Sequence, residues 1–172
     1  PVAVVGATLV NPGAPPVPDA AVVVRNGRIV CAGARAQCAV PAGVEVVDAR
    51  GAYVAPGLID AHVHYSQTGW VDGRPDAIDA RTQYPYDSVV AALRDHPERF
   101  DRAYLCSGVT AAFDVGGYPW TFTMAREHEA RLDAPHVAAA GALLTTIDHW
   151  VNLPNARQFL FMRDDSTVRA TV

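Results

Sequence analysis

The stretch that most restricts the fold is Pro56-Gly57-Leu58-Ile59-Asp60-Ala61-His62-Val63-His64, an apolar strand that ends in two histidines two residues apart. Side chains alternate across a strand, so His62 and His64 leave on one side while Val63 points to the other. Two imidazoles about 7 Å apart at Cα by strand rise converge on one divalent ion if the strand end is splayed and open to water. The other reading is two histidines on a sheet face, satisfied by ordinary hydrogen bonds. The pair alone does not decide between them, so its setting has to.

Downstream the chain alternates strand and helix. A helix begins near Asp87, read as its N-cap, with Val89, Val90 and Leu93 on one face. Pro97 interrupts it, and a second helix from Glu98 carries Phe100, Ala103 and Tyr104 inward until Gly108 stops it. Val109 to Val115 reads as a buried strand ending in Gly116-Gly117. Trp120 to Leu132 reads as a helix with Glu127 paired to Arg131, His136 to Leu144 as a third strand, and Asp165 or Ser166 as the next N-cap. This rhythm is that of parallel βαβ units. The intervening residues 65–86, rich in Gly, Asp, Arg and aromatics, read as an ordered functional loop or an insertion with its own packing.

Residues 1–55 have a different texture. Val2 to Val10, Ala20 to Arg25, Arg28 to Ala32, Val44 to Asp48 and Tyr53 to Ala55 read as short strands of a small antiparallel unit. The proline-rich segment Asn11 to Asp19 reads as loop. Asn26-Gly27 sits between two apolar runs and predicts a type I′ hairpin, which needs positive φ at both central residues. Val4-Val5-Gly6-Ala7 lacks the further glycines and the following helix of a dinucleotide-binding turn. The domain boundary falls at 55/56, giving units 1–55 and 56–172.

Composition sets the outer limits. The 172 residues are 50% hydrophobic and 19% charged, with net charge −4 and no lysine. All 14 cations are arginine, and no basic run suggests nucleic acid or anionic membrane as a partner. The apolar runs are far shorter than a bilayer span. Cys31 and Cys38 either close a small disulfide loop or are two buried thiols, so location stays open between the cytoplasm and an exported or periplasmic setting. Cys106 is expected to fill core space.

Two segments together carry a family likeness. Asp48-Ala49-Arg50-Gly51-Ala52-Tyr53-Val54-Ala55 running into Pro56 to His64, followed later by Ser107-Gly108-Val109-Thr110-Ala111-Ala112-Phe113-Asp114-Val115-Gly116-Gly117, resembles the metal-dependent amidohydrolase superfamily in its imidazolonepropionase-like and dipeptidase-like branch. The resemblance implies an α/β fold: the first three βα units of a (β/α)8 TIM barrel, preceded by strands of a small β-sandwich, both incomplete in this chain. The active site then lies at the C-terminal strand ends. His62 and His64 become metal ligands for one or two divalent ions, zinc foremost. The remaining ligands, among them a carbamylated lysine, two histidines and an aspartate, and the general base, are expected on later strands outside this chain. The rest of the barrel is accordingly an expected partner segment, and a homo-oligomer is left open.

The reaction implied is metal-assisted hydrolysis of an amide or cyclic amide C–N bond, with a small molecule or dipeptide as substrate. Alternatives are a heterocycle deaminase of the same superfamily and a noncatalytic metal-binding or interaction module. Asp60 and Asp114 are expected to support the site from behind, Asp60 on the same side of the strand as the histidines. Tyr65, Gln67, Trp70 and His149 are candidates to shape the substrate pocket. His96, His128 and His136 are assigned to surface or core.

Overall fold

In the computed structural model, residues 1–67, 81–147 and 152–171 are described. The chain divides into two compact units, Pro1–Pro56 and Gly57–Val172.

The first unit is one five-stranded sheet built from β1 (Val2–Leu9), β2 (Val17–Arg25), β3 (Arg28–Ala34), β4 (Glu45–Asp48) and β5 (Tyr53–Val54). The order is β3-β2-β1-β4, with β5 also against β1. The sheet is mixed, which corrects the antiparallel expectation: β2 runs antiparallel to β1 and β3, but β4 and β5 run parallel to β1. The cause lies in residues 35–44, a connection long enough to cross the sheet from the β3 edge to the far side of β1. Its Cys38 is buried with Ala3, Val5, Ala21 and Val23, alternate residues of β1 and β2. Cys38 is joined to Cys31 by a disulfide, with Cα atoms 5.8 Å apart. The described strands of this unit make one sheet, not a complete sandwich.

The hairpin turn is as the sequence predicts, with Asn26 at φ 52° and Gly27 at φ 72°. The proline-rich loop is shorter than expected. β2 begins at Val17 and takes in Pro18 where the β1–β2 register shifts, with Asp19 at φ 43°; such an irregularity is where a strand tolerates proline. Gly6 marks a second shift, at φ 83° with Arg50 packed where a Cβ would stand.

The second unit centres on a parallel sheet in the order β6-β7-β8, from β6 (Leu58–Val63), β7 (Val109–Asp114) and β8 (His136–Ala139). α1 (Tyr86–Asp95) and α2 (Glu98–Cys106) lie between β6 and β7, and α3 (Trp120–His128) between β7 and β8. Val63, Tyr65, Ala112, Met124, Ala125 and Val137 form the core between sheet and helices, with Phe100 and Tyr104 against it. Two short strands, β9 (Leu143–Thr145) and β10 (Phe159–Phe161), pair in parallel, and α4 (Asp165–Thr171) follows. Among the described residues no helix is long and apolar enough to cross a membrane.

Several local expectations need correction. Pro85 precedes α1 as its cap, and Asp87 lies in the first turn, where a carboxylate still complements the exposed N–H groups. In α2 the buried residue is Asp101, while Ala103 is exposed; Cys106 is exposed too, at the helix end. α3 stops at His128, which frees Arg131 to pair with Asp133 and Asp101 instead of Glu127. The third strand breaks after Ala139, because Gly141 takes φ 82° with the Phe122 ring where a side chain would go. Asp164 caps α4, accepting from the Thr167 N–H at 2.8 Å.

Candidate metal-binding end of the parallel sheet

The two histidines are placed by an irregularity in β6. Asp60 pairs with Ala112 and Val63 with Asp114, so β6 spans three residues where β7 spans two. One extra residue reverses the alternation. Asp60 therefore shares the helix-covered side with Val63, a correction to its expected place beside His62. Its neighbourhood agrees: burial first, then the carboxylates of Asp60 and Asp114, push the Tyr104 phenol up. A bulge also leaves a backbone N–H without a ladder partner, and the His62 N–H donates to Asp60 Oδ1 at 3.1 Å.

Beyond that point the histidines turn toward each other. Their ring centroids are 5.3 Å apart, with planes at 77°. His62 is exposed and His64 half-buried. His64 Nδ1 lies 2.7 Å from the Gly116 carbonyl. A carbonyl only accepts, so Nδ1 carries the proton and the Nε2 lone pair is left for a metal.

Gly116 is itself held from several sides. Asp114, with 0% exposure, accepts from the Gly116 N–H at 3.0 Å and from the Tyr65 N–H at 3.3 Å. Burial pushes the Asp114 carboxyl up, against these two hydrogen bonds and the nearby His64, which pull it down. Gly116 has φ 145° and faces the Leu143 side chain, with the Gly141 carbonyl oxygen 3.2 Å from where a Cβ would stand. The Gly117 N–H donates to the Gly141 carbonyl at 2.9 Å, and Ser66 Oγ, which occupies the space of a Gly117 side chain, accepts from the Tyr118 N–H at 2.9 Å. The Gly-Gly pair is thus the brace that aims His64. Its signal in the sequence was two glycines directly after a strand; Ser66 gave none.

The other sequence candidates separate. Tyr65 is in the core against Phe100, Tyr104 and His128, with its hydroxyl 3.5 Å from Asp101, so it does not line an open pocket. Burial, then the Asp101 carboxylate, pushes its phenol up. Gln67 is also turned inward: its Nε2 donates to Gln158 Oε1 at 2.9 Å, and Gln158 Nε2 donates to the Tyr86 hydroxyl at 2.9 Å. This buried chain ties the segment after β6 to α1 and β10. Trp70 and His149 lie outside the described residues. His96 and His136 are exposed beside Glu98 and Glu129. His128 is buried, 3.4 Å from Asp101, whose carboxylate also meets Arg131 at 3.2 Å.

The donor set fits part of a metal site. Two imidazoles, one with its tautomer fixed, suit a borderline ion such as zinc. Among the described residues no third histidine, cysteine or carboxylate joins them in a ligating group.

No family model matches the chain. It is 40% identical over 75 residues to an N-acyl-D-aspartate deacylase from Alcaligenes xylosoxydans xylosoxydans, covering 44% of this chain and 14% of that protein. It is 40% identical over 78 residues to an imidazolonepropionase from Ralstonia nicotianae, covering 43% and 18%. The structure matches that of molinate hydrolase with a TM-score of 0.61 at 27% identity, over 82% of this chain and 29% of that one. The matches therefore span less than a fifth of these curated relatives and under a third of the solved hydrolase. Strand order, the paired histidines at the strand end and these likenesses agree: over part of its length the chain is similar to members of the amidohydrolase superfamily, and its fold matches βα units of their barrel.

Proposed function

We propose that the whole protein hydrolyses an amide or cyclic amide C–N bond, with His62 and His64 holding a divalent ion, zinc foremost. The observation that carries this reading is the contact between His64 Nδ1 and the Gly116 carbonyl, which orients Nε2 outward beside the His62 ring. A bound ion supplies Lewis acidity and a water acidic enough to attack near neutral pH. The chain's own part is to hold two imidazoles aimed, His62 through the Asp60-capped bulge and His64 through Gly116. Further ligands and the proton-transferring base come from residues beyond those described.

The exposed face of the parallel sheet supports a larger assembly. Ile59 pairs with Ala111, and Phe113 with Ala138, opposite the helix-covered side. Ile59 is 74% exposed and Phe113 41%. Apolar sheet faces of this kind are covered in stable proteins, here by the remaining barrel strands.

The test is hydrolysis by the whole protein across N-acyl amino acids, dipeptides and cyclic amides, for the wild type and for H62N/H64N. Turnover of at least one class, lost in the double variant, is expected. Turnover unchanged in the variant would refute the assigned ligands, and no turnover of any class would refute the hydrolase reading.

A further inference from the structure

A second site lies on the segment that follows β8. Arg157 and Arg163, which flank β10, line one cavity of about 530 Å³ with Asn152, Leu153, Pro154, Phe161 and Thr167. Neither guanidinium makes an ion pair among the described residues. Arg163 lies over the Phe161 ring, 5.6 Å from its centroid, which fixes its plane without using its donors. Asp164 makes no ion pair with it: its Oδ1 accepts from the Ser166 hydroxyl at 2.7 Å and from the Thr167 N–H at 2.8 Å. Those bonds hold its carboxyl down at about 2.

The wall is otherwise set by local bonds. The Asn152 amide accepts from the Phe159 N–H and donates to the Phe159 carbonyl, both at 3.0 Å. Asn152 is therefore a fixed strut, and the free donors of the cavity are the two arginines. Arginine presents a planar fork matched to carboxylate. The two stand on opposite flanks of a three-residue strand, so they suit two separate acid groups better than one. Leu153, Pro154 and Phe161 supply an apolar floor between them.

The cavity is linked to the histidine end of the sheet. Gly116, which holds His64, packs against Leu143 of β9, and β9 pairs with β10. We propose that this cavity binds a small organic dianion, two carboxylates on an apolar body, and that it is the subsite for an acidic N-acyl amino acid. The substrate role rests on the hydrolase reading; the binding does not.

Calorimetric titration of the whole protein, stripped of metal, separates the two. The probes are N-benzoylglutamate, the monoanionic N-benzoylglutamine, the neutral diamide of the same skeleton, and inorganic phosphate. N-Benzoylglutamate is expected to bind about tenfold tighter than N-benzoylglutamine, as a second guanidinium–carboxylate pair implies, with no saturation by the diamide. R157Q and R163Q should each erase that difference while the thermal midpoint stays put, and H62N/H64N should leave it intact. Equal binding of dianion and monoanion, tighter binding of phosphate, no saturable binding, or a difference that survives R157Q/R163Q would each overturn the site. Dianion binding without hydrolysis of N-benzoylglutamate by the metal-loaded protein would remove the substrate role alone.

Discussion

The carboxylate of Asp60 accepts the backbone N–H of His62 at 3.1 Å, at the point where β6 carries one residue more than β7. That single bond satisfies the donor the bulge leaves over and fixes the strand end from which both imidazoles project. Asp60→Ala is expected to lower stability by about 1–2 kcal/mol and to weaken zinc binding about tenfold, whereas Asp60→Asn keeps an acceptor and loses less. Urea unfolding and zinc titration of the three proteins check this. Equal zinc affinity in all three would mean that the bulge holds without its cap.

Gly116 combines a positive φ with close neighbours on its Cβ side. Gly116→Ala must strain the backbone and displace Leu143, at a cost of about 2–4 kcal/mol. Its carbonyl also orients His64, so the loss of stability should come with weaker metal binding. Gly108 has φ 80° but open space around it, and Gly108→Ala should cost only about 1 kcal/mol. Denaturant titration of both variants measures the difference; equal costs would remove the brace assigned to Gly116.

His128 and Asp101 are each 1% exposed, in contact behind the parallel sheet, with Arg131 on the same carboxylate. Burial holds the His128 imidazolium down against the opposing pull of Asp101, and burial pushes the Asp101 carboxyl up. A histidine whose folded pKa lies below its unfolded value of about 6.5 contributes stability above that pH and loses it as the pH falls through the folded value. Unfolding free energy should therefore drop on acidification from pH 7 toward 5. Asp101 acts in the opposite sense, because protonation above its unfolded value relieves a buried charge. His128→Asn should flatten the drop between pH 7 and 5; a slope equal to wild type would show that other groups set it.

The Cys31–Cys38 disulfide closes a short loop that crosses under the first sheet. Chain-entropy reasoning for a loop of this size gives a stabilisation of about 2 kcal/mol. Cys31→Ala/Cys38→Ala should lose that much of the first unit's stability in non-reducing buffer, and the wild type should show the same loss under reductant. A wild type indifferent to reductant would mean that the pair contributes by packing alone.

Much of the architecture could be read from local chemistry. The Asn26-Gly27 turn follows from residues that tolerate positive φ, and the β6-β7-β8 order follows from alternating strand and helix patterns. What misled were the places where one residue changes a parity or a path. Nothing in Leu58 to His64 marks the bulge that moves Asp60 to the helix side, because a bulge depends on the partner strand. Short strands and tight turns in residues 1–55 suggest antiparallel pairing, but the route of 35–44 is decided by where Cys38 finds apolar contacts. The position of Tyr65 and Gln67 after the histidines suggests pocket residues, yet both find partners inward, Tyr65 in the core and Gln67 through Gln158. The break after Ala139 and the β9–β10 pair depend on Gly141 meeting Phe122, a contact across 19 positions of sequence that no local pattern carries.

Metal stoichiometry distinguishes a shared His62–His64 ion site from two unconnected histidines. The whole protein, dialysed against zinc and then washed, is analysed by mass spectrometry of its metal content beside H62N, H64N, H62N/H64N and the control H96N/H136N, which alters two exposed histidines away from the strand end. Bound zinc is expected in the wild type and control, a reduced amount in each single variant, and loss in H62N/H64N. Zinc retained undiminished by H62N/H64N would contradict the shared site.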